Sequence, residues 1–221
     1  MYDIENEIIY PSRPGFAFHD SRGIESGSMD KVAEFFSRRA KLSLKDRVHV
    51  AWICFPLSNA QPLGEAERCM PQLGPNPGES RHPELSVKTS LMLATVPAVV
   101  VFTEYNGLEA TVLNNLRYEG RLSMREAFRA MSDATEHLFK EQWLNRIYTS
   151  ELPKPPFVRL KDLHKPEGEC QELMTCTADV LKDNKPAQKL LSLHKSMNWN
   201  RGLNMLLMSQ SRHIQHHEVR S

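Results

Sequence analysis

Val96-Pro97-Ala98-Val99-Val100-Val101-Phe102 runs directly into Thr103-Glu104-Tyr105-Asn106. The first seven of these residues carry no charge and no alternation of polar with apolar side chains, and Val99 to Val101 are β-branched. Branching at Cβ favours an extended chain. A strand written this way has no solvent face, so it belongs in a parallel sheet covered by helices on both sides. Upstream, Val48 to Phe55 (Val-His-Val-Ala-Trp-Ile-Cys-Phe) repeats the nearly continuous apolar pattern, and Phe16-Ala17-Phe18 leads into His19-Asp20. Downstream, Phe157-Val158-Arg159-Leu160 follows a Pro-rich break. Asp3 to Tyr10 reads as a more exposed strand, which Pro11-Ser12-Arg13-Pro14-Gly15 turns back as a hairpin.

Helical periodicity fills the intervals. From Ser28, a candidate N-cap, Val32, Ala33, Phe35, Phe36 and Ala40 mark one apolar face. Ser123-x-x-Glu126 is a capping-box signature opening a long periodic segment through Ala127, Phe128, Met131, Leu138, Trp143, Leu144 and Ile147, closed by Pro153. Residues from about Cys170 to Leu181, and from Pro186 to Met208, read as two further helices. The order strand, helix, strand, loop, strand, helix, strand, helix gives an α/β fold with crossover helices. Ser58 to Ser90 breaks the rhythm: Pro62, Pro71, Pro75, Pro77 and Pro83 lie there with Gly64, Gly74 and Gly78. Such a stretch is an irregular insertion or a long loop.

Composition excludes several classes. Among 221 residues, 28 Lys+Arg oppose 27 Asp+Glu, for a net charge of +1, and 40% are hydrophobic. This balance supplies no electrostatic drive toward nucleic acid or membranes. The most apolar stretch, Leu91 to Phe102, is twelve residues long and contains Pro97, short of the roughly 18 needed to span a bilayer. Met1 to Glu7 is acidic and unlike a signal peptide. Cys54, Cys69, Cys170 and Cys176 include no C-x-x-C pair, and Cys54 sits in an apolar run as a small hydrophobe. A reducing, cytoplasmic compartment is the simplest expectation.

Chemistry concentrates at the strand ends. Asp20-Ser21-Arg22-Gly23 follows the Phe16–Phe18 run. A carboxylate there can help to hold Mg²⁺, and a glycine three residues on lets a backbone N–H approach a terminal phosphate. Thr103-Glu104-Tyr105-Asn106 follows the later strand, where small GTP-binding domains carry [Asn/Thr]-Lys-x-Asp to read guanine. Phe18-His19-Asp20-Ser21-Arg22-Gly23-Ile24-Glu25, Val50 to Leu57, Val99 to Asn106 and Val158 to Lys165 occur in family-like order. Together they resemble the fungal G-domain proteins, P-loop GTPases related to the septin and immune-associated GTPase groups. The resemblance covers most of residues 1–182, with 58–90 poorly matched.

The resemblance implies a GTP-binding protein using GTP and Mg²⁺. Asp20 and Gly23 would be the remnant phosphate and metal switch, with Asp20 the metal ligand. Thr103, Glu104 and Asn106 would be a degenerate base reader, with Val158–Lys165 near the base. The departures carry equal weight. None of the ten glycines is followed by lysine, so the G-x-x-x-x-G-K-[S/T] phosphate loop is absent. Only 19 residues precede Asp20, too few for the central strand, its loop and its helix. The expected fold is therefore an incomplete P-loop GTPase-like sheet with flanking helices. A partial G domain would span 1–182, and 183–221 would form a helical C-terminal extension with a flexible tail. Loss of the phosphate loop would abolish hydrolysis and weaken or remove guanine-nucleotide binding. The alternative function is a nucleotide-independent interaction module, a pseudo-GTPase that pairs with itself or with a protein partner.

Weaker constellations have simpler readings. His213, His216 and His217 share a helical face but belong to a solvated tail. His19 reads as a polar strand end. Cys170 and Cys176 read as helix packing, and the Met197, Met205 and Met208 stripe reads as a packing helix or, alternatively, a partner-binding face.

Overall fold

The computed structural model describes residues 3–9, 16–21, 28–57, 96–148, 154–162 and 170–182. Three strands, β1 (Ala51–Pro56), β2 (Ala98–Thr103) and β3 (Phe157–Arg159), form a parallel sheet in the order β1-β2-β3. Ile53 stands opposite Val100, and Val101 opposite Val158. Every residue of β2 is buried, as its unbroken apolar run requires. Among the described residues the longer helices are α1 (Ser28–Arg39), α2 (Tyr105–Tyr118), α3 (Met124–Phe139) and α4 (Gln171–Val180).

The two faces of the sheet form two cores, and alternation along each strand sorts residues between them. Val99, Val101, Val158 and Leu160 pack against Cys170, Leu173, Met174 and Leu181, with Trp52 and Cys54 of β1 joining partly buried. On the opposite face Phe55, Val100 and Phe102 meet Tyr105 and Leu108 of α2, Phe139 of α3, and Trp143 and Ile147 beyond it. Phe102 is the hub of that core. Its ring lies 4.8 Å from Phe139, 5.8 Å from Phe55, 5.9 Å from Phe157 and 6.3 Å from Trp143, centroid to centroid. A fully enclosed aromatic of this kind contributes about 1.5–3 kcal/mol through burial alone.

Three sequence expectations need correction. Phe16–Phe18 is not a strand of the parallel sheet: Phe18 forms a single antiparallel bridge with Ile8. Phe16 and Phe18 lie on the α4-side core while Ala17 between them is exposed. Three residues with one exposed cannot be covered on both faces, so the run becomes an arm laid over the sheet. The bridge does join the arm's two limbs as the hairpin reading expects.

The single helix drawn from Ser123 is the second correction. The capping box forms, with Glu126 N–H donating to Ser123 Oγ and Ser123 N–H donating to the Glu126 carboxylate. Helix α3 then ends at Phe139, passes through a wider π-type turn at Lys140–Leu144 that seats Trp143 in the core, and finishes with one turn at Asn145–Ile147. Finally, α2 follows β2 with one residue between them, where the sequence reading placed no helix. Its buried Tyr105, Leu108 and Val112 hold helical spacing. Residues 58–90, the extension 183–221 with its histidines and methionines, Gly23, Cys69 and Pro153 lie outside the described residues.

Candidate functional site

Thr103, Glu104 and Asn106 lie at the carboxyl end of β2, the edge at which open parallel α/β sheets bind ligands. Thr103 closes β2 and is buried, its carbonyl accepting the Leu57 N–H at 3.0 Å. Beyond it the chain must swing from strand to helix within one residue. Glu104 makes that swing in the left-handed region, at φ 58° and ψ 34°. The Tyr105 N–H then donates to Leu160 O at 3.2 Å, and Leu160 N–H donates to Phe102 O at 2.8 Å. Those two bonds lock the end of β2 to the end of β3. A non-glycine residue held at positive φ costs about 1–3 kcal/mol, so tertiary packing holds Glu104 there.

Asn106 stands in the first turn of α2, partly buried, and its Nδ2 donates to Asp162 Oδ1 over a long 3.5 Å. Asp162 is itself left-handed, at φ 52°. The Val158–Lys165 segment therefore brings a carboxylate against Asn106, and Asp162 is the residue that sequence reasoning did not single out. An acidic side chain just past a strand end, opposite the amide of the neighbouring strand's first helical turn, was the available signal. Beside them Lys161 pairs with Glu109 and lies 5.1 Å over the Tyr105 ring.

Two residues before Lys161, Arg159 anchors this edge. Its guanidinium sits 5.2 Å over Phe139, 5.3 Å over Tyr105 and 5.8 Å over Phe157, donates to Tyr105 Oη at 3.3 Å, and pairs with Glu136 at 2.5 Å. The hydrogen bond from Arg159 is the largest cause holding the Glu136 carboxyl below its ordinary value.

Asp20 lies toward β1 and is buried. Burial, with the Asp20 charge adding, pushes the Cys54 thiol up to about 12. The residue Cys54 is only partly buried as a whole, yet its thiol titrates as an enclosed one. A thiol so raised is no nucleophile near neutral pH. His19 is tied at both nitrogens: Nδ1 lies 2.8 Å from Ile4 O, and Nε2 lies 3.3 Å from Arg39 Nη2. The consistent tautomer donates from Nδ1 and accepts at Nε2. Burial, opposed by the bond to Ile4 and aided by the Arg39 charge, lowers its pKa. This histidine ties the arm to Arg39 of α1.

Thr103, Glu104 and Asn106 are thus together, joined by Asp162, while Asp20 sits on the β1 side of the sheet. Gly23 lies outside the described residues. Among the described residues no three His, Cys, Asp or Glu side chains gather to hold a metal ion, and no helix is long and apolar enough to cross a membrane. No protein-family model matches the chain, and neither a curated protein nor a solved structure matches it.

Proposed function

We propose that this chain is a G-domain protein of the P-loop GTPase type whose nucleotide chemistry is impaired, and that it works as a nucleotide-independent interaction module, a pseudo-GTPase. Three parallel strands with helices on both faces, and motif-bearing turns at their carboxyl ends, support the G-domain part of the reading. The observation that carries the impaired part is the occupied base-reading position. Asn106 directs its amide toward Asp162, a group of the protein itself, and Glu104 puts a carboxylate where a cationic stem would pack on a purine. On the phosphate side, no Gly-Lys pair exists anywhere in the sequence, and among the described residues Asp20 belongs to no group of three or more His, Cys, Asp or Glu side chains that could hold a metal ion. These residues do not fit Mg²⁺-GTP, since phosphate affinity in such sites rests on backbone donors, a lysine and the metal together.

Melting the full chain with and without millimolar GTP and Mg²⁺ tests the reading. The expected outcome is no shift. A ligand at 100 times its Kd adds about 2.7 kcal/mol, and a rise of that order would refute the nucleotide-independent reading. One observation favours the second reading, retained guanine binding: Asp162 supplies a carboxylate acceptor beside Asn106. On that reading GTP raises the melting temperature, and Asp162→Asn removes the rise.

A further inference from the structure

The corner where α2 turns into α3 carries the two most exposed large apolar side chains among the described residues, with a third beside them. Tyr118 is 72% exposed, Phe128 54% and Met124 48%. Met124 and Phe128 stand four residues apart on α3 and share a face. Four arginines surround them in sequence at four-residue intervals: Arg117, Arg121, Arg125 and Arg129. Arg117 stacks over the Tyr118 ring at 5.4 Å. Among the described residues, none of the four guanidiniums has a hydrogen-bond or ion-pair partner. Against them stand Glu119 and Glu126, and Glu126 is engaged in the Ser123 capping box. Residues 117–129 thus hold 4 − 2 = +2, more than the +1 of the whole chain.

The corner is built rigidly. Helix α2 ends with Gly120 N–H donating to Asn115 O at 3.0 Å and Leu122 N–H to Leu116 O at 3.1 Å. Arg121 turns the chain in the left-handed region at φ 53°. A Cβ on Gly120 would stand 2.7 Å from Leu116 O, so only glycine permits this closure. The capping box then fixes the start of α3. Surface groups held this way lose little entropy on binding.

We infer that this corner is a docking surface for an acidic, amphipathic helical segment of a partner protein. Exposed aromatic and methionine side chains interleaved in sequence with arginines have the makeup of protein-interface hot spots, and the unpaired positive charge calls for carboxylates. A bilayer would need a longer apolar stripe, and a nucleic-acid strand would need an extended phosphate track. The inference deepens the interaction-module reading. The GTP melting experiment leaves it untouched, so the two fail separately.

The test is fluorescence anisotropy of the full chain against two synthetic helical peptides with the same Leu/Trp face, one flanked by Glu and one by Lys. Phosphatidylcholine–phosphatidylserine vesicles and a single-stranded oligonucleotide are run in parallel. The Glu peptide is expected to bind, to loosen with added salt, and to weaken about tenfold or more, equivalent to about 1.4 kcal/mol, in Phe128→Ser and in the Arg121→Glu/Arg125→Glu double variant. Unchanged melting of both variants shows that they fold. Failure of the Glu peptide to bind, equal binding of the Lys peptide, indifference to the substitutions, or tighter binding to vesicle or oligonucleotide would each overturn the proposal.

Discussion

Replacing Phe102 by alanine removes the ring on which the α2–α3 side of the molecule converges. The side chain is completely enclosed and meets four other aromatic rings, three of them edge-on at 77° to 86°. Removal forfeits the transfer free energy of the ring and leaves a void between β2 and Phe139. Such truncations cost about 3–5 kcal/mol, with the edge-to-face pairs placing this one toward the upper end. Against a typical total of about 5–15 kcal/mol, that is a large fraction of the stability. For a chain of this length each kcal/mol shifts Tm by roughly 2–4 °C, so a fall of about 6–20 °C is expected. Urea unfolding followed by circular dichroism and tryptophan fluorescence measures the loss, since Trp143 packs on the same ring. The midpoint should fall with the slope unchanged. Phe128→Ala, on the exposed face of α3, is the control and should stay within about 0.5 kcal/mol. A Phe102→Ala loss under about 1 kcal/mol, or one matched by the control, would refute the convergence of this core on one ring.

Glu104→Asn should raise stability by about 0.5–1 kcal/mol, because asparagine tolerates the left-handed region better than glutamate; a urea midpoint that falls instead would show that the Glu104 side chain is needed where it stands. Trp52→Phe should cost about 1–2 kcal/mol. It deletes the 3.1 Å bond from Nε1 to the buried Thr177 hydroxyl, which itself donates to Leu173 O at 2.7 Å. A double-mutant cycle with Thr177→Val that gives no coupling would remove this bond as a tie between β1 and α4. Stability should also decline in alkali. Burial raises the Cys54 and Cys170 thiols from an ordinary 9.0 to about 12. Folding favours the protonated forms, so their contribution is complete below about pH 9 and is lost as pH climbs toward 12. Each thiol accounts for at most about 1.4 kcal/mol per pH unit in that window. Urea titrations at pH 8 and 10.5 should show the fall, and Cys54→Ala/Cys170→Ala should flatten it; an equally steep fall in the double variant would assign it to other groups.

Local pattern was enough wherever one residue's neighbours in sequence are also its neighbours in space. The unbroken apolar runs of β1 and β2, the capping box at Ser123 and the helix from about Cys170 to Leu181 could all be read directly. Helix α2 was not, since Asn106, Gly107, Asn114 and Asn115 dilute its helical propensity. Tertiary burial of Tyr105, Leu108 and Val112 overrides that weakness. Likewise Phe16–Phe18 has a strand's composition, but only the folded chain decides whether such a run enters the sheet or lies across it.

The candidate site divides in the same way. Asp20, Gly23, Thr103, Glu104 and Asn106 stood out by residue type and position after apolar runs. The approach of Asp162 to Asn106, across 56 residues, did not, because it depends on two strands lying side by side and on two left-handed turns that bring their ends together. By itself the sequence determined the α/β class, the apolar strands, the near-neutral charge and the absence of a Gly-Lys phosphate loop, all properties of residue type and local spacing. Only the tertiary structure decided the strand order, the enclosure of Phe102, the pairing at the carboxyl edge and the exposed apolar corner between α2 and α3. Each of these depends on which surfaces remain uncovered once distant segments have packed.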